Sequence, residues 1–251
     1  MDIHKPKPVH SFKAFLGEIG VVVLGISIAL TAEAGIEALH WRAQIREAHE
    51  ALATDLAQVI KNASERDAFS ACVGRHLDRW ADMVEEAART GRIPPQGAMH
   101  RAPPRLWLVN SWDGLVAAGI APHLPRDELV RISLIAHDLK TAEEIQADED
   151  VQWTRLYTMV GPGRAADAGE VTALRSAVSR ARADAKSLRQ ASLDLLYLSE
   201  STKLVPKDLE KRIRDDRTKF AGDRCVPDEP VPARYGDGPP AGQPLDRPLG
   251  R

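Results

Sequence analysis

Fourteen consecutive uncharged residues, Ile19–Ala32 (IGVVVLGISIALTA), constrain this chain more than any other stretch. As a helix they cover about 21 Å, short of the roughly 30 Å hydrocarbon core of a bilayer. The flanks supply the rest: Phe12, Phe15 and Leu16 precede Glu18, and Ala34, Gly35, Ile36, Ala38 and Leu39 follow Glu33. Lys13 can snorkel to the headgroups, and Trp41 stands where an interfacial aromatic belongs. The pattern predicts a transmembrane helix over 15–36 behind a cytoplasmic segment 1–14. A cleaved signal peptide is the rival reading, with Lys5, Lys7 and Lys13 as its basic region and Ala32-Glu33-Ala34 as its cleavage site. Against cleavage, no helix breaker precedes that site and the helical pattern runs on through Trp41. A buried core helix is the third reading.

Both leading readings export the remainder. Three lysines precede the span, whereas Arg42 is the first basic residue after it, with Glu33 and Glu37 between. The positive-inside rule therefore puts the N-terminus in the cytoplasm and the bulk of the chain in a bacterial periplasm. Gly25 and Ala29 form a small-xxx-small pair, a possible helix–helix contact.

About 210 residues lie beyond the span, enough for one well-buried domain. Formal net charge is −2, so no basic field for nucleic acid is implied. Aromatic residues are only 5%, which with abundant Ala, Leu, Arg and Glu favours helices. The expected fold class is all-α: the transmembrane helix continues into an antiparallel helical bundle over 37–225, followed by a disordered Pro/Gly-rich tail over 226–251.

Within the bundle, Trp41, Ile45, Ala48, Leu52, Leu56, Val59 and Ala63 recur at helical spacing. Phe69, Val73, His76, Trp80, Met83 and Ala87 extend the stripe to Gly91, a C′ glycine. Ser64 with Asp67 could cap a new helix, so 40–90 reads as one helix or two. Four prolines between 91 and 105 mark an irregular connection. A short helix follows from Trp112 to Ala118. Pro125 starts the next, whose stripe is interrupted by the acidic patch Asp148-Glu149-Asp150. Gly161-Pro162-Gly163 is a turn, and Asp167 with Glu170 forms a capping box for a helix carrying Val171, Leu174, Val178, Ala181, Ala185, Leu188, Ser192 and Leu195. A last helix runs from Pro206 to Gly222. Counting outward from the Gly-Pro-Gly turn places Gln146 beside Arg180, and the acidic cluster 143–150 beside Arg175, Arg180, Arg182 and Lys186.

Chemistry-bearing motifs are sparse. His137-Asp138 lies on a helix surface, with His123 and Asp148 as remote company. Glu37 and His40 have the Glu-x-x-His spacing of di-iron bundles, without the second copy such a site requires. Glu33 and Glu37 sit one turn apart at the expected outer headgroup level. No catalytic, cofactor-binding or metal-binding residue set is expected, and neither is enzymatic activity. Cys72 and Cys225 suit one disulfide in an oxidising compartment, closing a loop of about 150 residues.

Three groups of residues carry a resemblance. They are Phe15-Leu16-x-Glu18-Ile19-Gly20 through Glu37-Ala38-Leu39-His40-Trp41-Arg42, then Cys72-Val73 with Arg75-His76-Leu77, and finally Asn110-Ser111-Trp112-Asp113 with Gly222-Asp223-Arg224-Cys225-Val226. These blocks resemble a family of single-pass proteobacterial inner-membrane proteins with an exported helical domain. The resemblance implies an anchored helical protein and brings no activity with it. The expected role is a structural or accessory partner of an envelope component, contacting the lipid bilayer and a protein partner or a second copy. A periplasmic sensor or ligand-binding bundle is the alternative.

Overall fold

A single helix, α1 (Phe12–Thr90), runs for 79 residues, or about 118 Å. The computed structural model describes residues 12–97, 101 and 103–224. Most of the expected cytoplasmic segment, Cys225 and the tail 226–251 lie outside the described residues. No cap interrupts α1 at Ser64: that side chain is buried, and Asp67 accepts from Arg189 Nε at 3.0 Å instead. The uninterrupted three-four spacing of apolar residues on both sides of this point lets one helix continue. Cys72 consequently lies in mid-helix, not near a helix start as the two-helix reading would have it. Gly91, at φ +68°, ends α1 in the left-handed conformation that glycine adopts without strain.

The chain then crosses back along the bundle. β1 (Arg92–Ile93) pairs antiparallel with β2 (Arg164–Ala165), and Gln96 exchanges two 2.9 Å backbone hydrogen bonds with Gly161. From there an extended strap descends beside α1. Arg105 pairs with Glu65, the Leu106 carbonyl accepts from Asn62 Nδ2 at 2.7 Å, and Ser111 reaches Asp55. The short helix α2 (Asn110–Ala117) follows, then a 3₁₀ turn, Ala121–His123, at the level of Trp41. Ser111 does not cap α2 with its own side chain. Asp55 of α1 instead accepts from both the Ser111 amide (2.8 Å) and hydroxyl (2.7 Å), placing a carboxylate at the positive helix end.

Three helices complete the bundle: α3 (Arg126–Leu156), α4 (Ala168–Thr202) and α5 (Lys207–Arg224). Ile132 packs with Ala48 and Leu52, and Glu149 meets Arg66, so α3 runs parallel to α1. α4 returns antiparallel to both and packs against both. The expected hairpin at 161–163 is present: Trp153 and Leu156 share a core with Val171, Leu174, Val178 and Ala181, while Leu139 and Ala142 join Leu188 and Leu195. α5 climbs α1 again, ending with Ala221 and Phe220 beside Phe69 and Cys72. It continues two residues past Gly222, beyond the expected stop.

The acidic patch interrupts the apolar stripe of α3 between Ala142 and Trp153, as expected, while the helix runs on through it. Glu149 turns into the core towards Arg66, and Asp150 pairs with Arg101 of the strap. Three arginines of α4 turn to α1 and not to α3: Arg175 grips Glu85 through 2.8 and 2.9 Å bonds, Arg182 meets Asp78 at 2.6 Å, and Arg189 meets Asp67. Their seven-residue spacing keeps all three on nearly one face, and that face borders α1. Gln146 engages the strap and not Arg180. At the start of α4, Asp167 accepts from the Glu170 amide at 2.8 Å, but the Glu170 carboxylate pairs with Arg164. Only half of the capping box forms.

Candidate functional site: the apolar arm and its base

Among the described residues, the first third of α1 packs none of its apolar side chains against the bundle. Every described side chain from Phe15 to His40 is exposed, including Val21 at 73% and Ile36 at 70%. The most apolar 18-residue window has a mean hydropathy of 2.1 and none of it is buried. This overturns the core-helix reading, because the bundle builds its core only from Ala48 onward. The arm from Phe12 to His40 is about 43 Å long, so it is long and apolar enough to cross a membrane. Burying a large apolar side chain is worth about 1.5–3 kcal/mol, which makes such an arm in water strongly unfavourable. Within it, the Thr31 hydroxyl donates to the Ser27 carbonyl at 2.7 Å, satisfying a polar group inside the helix as a hydrocarbon environment demands. Gly25 and Ala29 lie on this exposed surface, and a Cβ added at Gly25 would meet nothing within 4 Å. Glu33 and Glu37 are exposed too; Glu37 Oε1 accepts from Trp41 Nε1 at 3.3 Å.

At the base of the arm, the His123 ring stacks on Trp41 with centroids 3.5 Å apart and planes 15° apart. His40 meets the same indole edge-on. Two helical turns further, His49 Nε2 lies 2.8 Å from Glu128 Oε1. Glu37 and His40 thus both contact Trp41. His137 is exposed on α3, and burial followed by the nearby Asp194 charge raises the Asp138 carboxyl above its ordinary value, with His137 opposing. Among the described residues no group of three or more His, Cys, Asp or Glu side chains is placed to hold a metal.

A polar seam fixes the strap and escaped the sequence reading. Arg66 and Glu149, 5% and 4% exposed, meet at 2.7 Å. Next to them Glu65 pairs with Arg105, and Arg217 of α5 approaches its other oxygen at 4.0 Å. Burial pushes the Arg105 guanidinium below its ordinary value, and the Glu65 carboxylate opposes that shift. Gln146 treats the strap as a strand partner. Its Oε1 accepts from the Arg105 amide (2.8 Å) and from Trp107 Nε1 (3.1 Å), while its Nε2 donates to the Arg105 carbonyl (2.9 Å). The one signal in the sequence was a glutamine interrupting an apolar helix face opposite a proline-rich connection.

Cys72 is buried beside Phe69 and Ala221, with its Sγ 3.5 Å from His76 Nε2. Its expected partner Cys225 lies outside the described residues. Grooves run between the helices of the bundle. One of about 380 Å³ follows α1 and α4 between Gly74, Ser70, Ala185 and Lys186, and another of about 280 Å³ lies between the strap and α3 beside Trp107 and Trp112. Comparison with protein-family models, with curated proteins and with solved structures finds no match to this chain.

Proposed function

We propose that the chain is a single-pass inner-membrane protein whose helical bundle stands in the periplasm as a structural or accessory partner of another envelope component. The observation that carries the reading is the unburied apolar arm continuing without a break into the bundle. The lysine asymmetry about the arm supports the orientation, with the N-terminus inside. A periplasmic-reporter fusion after Ala63 tests it: activity is expected, and an inactive fusion overturns the topology. A mature N-terminus at Gly35 by mass spectrometry would establish cleavage in place of anchoring.

Exposed apolar side chains on the bundle support a protein partner over a small ligand. Leu106 is 76% exposed, and Leu108, Val116, Val130 and Leu134 are also open to solvent. Photo-cross-linkers placed at Leu106 and Leu134 in intact membranes should give site-specific adducts to one envelope protein or to a second copy. Lipid adducts alone would refute this role. The Cys72–Cys225 disulfide belongs to the same proposal. α5 brings Ala221 against Cys72, four residues before Cys225 in the sequence. Two titratable thiols in denatured, non-reduced protein would rule the bridge out.

A further inference from the structure

The geometry points to a second membrane contact: the 3₁₀ turn Ala121–His123, together with Arg126 at the start of α3, rests on the lipid headgroup layer. This rests on the reading of the arm as a transmembrane anchor. Because α1 is one unbroken helix, the depth of the arm fixes the height of everything packed on it. If the span ends at Ile36, Trp41 lies about 7.5 Å further along the axis, at the outer edge of an interfacial layer some 5–7 Å thick. His123 is stacked on Trp41, so the turn that carries it stands at the same height. It is the lowest part of the bundle, since the strap, α2 and the turn descend through Asn62, Asp55 and Ala48 to Trp41 in order.

The chemistry exposed there fits phosphate-bearing headgroups. Pro122 and His123 are exposed, and Trp and His rings are amphipathic groups suited to an interface. Of the carboxylates near this end, Glu37 accepts from Trp41, Asp127 pairs with Arg131 and Glu128 Oε1 lies 2.8 Å from His49 Nε2, while Glu33 is exposed about 12 Å below Trp41 on α1. Glu47 lies about 9 Å higher than Trp41 on α1. Arg42 and Arg126 are exposed and form no ion pair among the described residues, which leaves two guanidinium groups for headgroup phosphates. The contact would hold the long axis of the bundle upright through two points instead of one.

The test uses the full chain in phosphatidylcholine vesicles containing a lipid with a nitroxide on its headgroup. Pro122→Trp and Arg126→Trp add reporters at the proposed contact, Ser176→Trp adds one on exposed distal α4, and Trp41→Phe isolates the anchor signal. Circular dichroism and an unchanged thermal midpoint confirm that each variant folds. Loss of most of the added fluorescence at both 122 and 126, as at Trp41, with the 176 signal intact, is the expected result. If Trp41 is quenched while 122 and 126 are not, the anchor stands and the headgroup contact is wrong. Should Trp41 also escape quenching, the anchor reading fails with it.

Discussion

Removing one member of the buried Arg66–Glu149 pair should be a severe polar change. The two groups meet at 2.7 Å and both are buried. At an effective dielectric of 20 their gross attraction is about 6 kcal/mol. Desolvating each ion costs several kcal/mol, so the pair as a whole contributes little net stability. Deleting one charge is different, because the other stays buried without its partner, which costs about 3–5 kcal/mol. Glu149→Gln is therefore expected to lower the melting temperature by about 6–20 °C, given some 2–4 °C per kcal/mol for a chain of this size. The double variant Arg66→Met/Glu149→Leu should recover to within about 1 kcal/mol of the parent, or exceed it. The assay is thermal and denaturant unfolding of the full chain in detergent micelles, followed by emission of the buried Trp80 and Trp153. Trp41 at the base of the arm also emits, so the unfolding series is run in a Trp41→Phe background. A Glu149→Gln variant within about 1 kcal/mol of the parent, or a double variant as damaged as the singles, would refute the reasoning.

Three further outcomes are expected. Gln146→Ala should cost about 2–4 kcal/mol by stripping the Arg105 amide, Arg105 carbonyl and Trp107 indole of partners, and amide exchange should rise in the strap around 105–107 while the far end of α4 is unchanged. Gly163→Ala should destabilise by about 1–3 kcal/mol, since the new Cβ would lie 2.9 Å from Pro95 Cδ; a melting temperature equal to the parent's would count against the close approach. Asp184→Asn should raise the melting temperature at neutral pH. Burial, and then the Asp148 and Glu149 charges, lift the Asp184 carboxyl above its ordinary 3.8, so the folded state binds the proton more tightly and stability falls as pH rises through that shifted value. The advantage should vanish below about pH 3, where both states are protonated.

Much of the architecture was legible in residue order. The arm, the stripe Ala48–Ala87, the Gly91 and Gly161-Pro162-Gly163 punctuation and the α4 face Val171–Leu195 all follow from spacing that a helix converts directly into a face. Whether 40–90 forms one helix or two stayed open in residue order, because a capping pair such as Ser64 and Asp67 is only a local preference. A partner brought by another helix can override it, as Arg189 does by engaging Asp67.

What the sequence determined by itself is therefore the period-3.6 content: which segments are helical, which face is apolar, and that one segment is apolar on every face. These properties depend on neighbours a few residues apart. The direction of the interhelical ion pairs depends on contacts 83 to 122 positions apart, as for Arg66 with Glu149 and Arg189 with Asp67. Only the tertiary structure could choose between α1 and α3 as the partner of the α4 arginines, because both helices present carboxylates and the choice rests on the rotation of α4 about its axis. The strap was decided in the same way. A proline-rich segment cannot satisfy its own backbone as a helix does, so its path was set by where Asn62, Gln146 and Asp55 could meet its exposed amides and carbonyls.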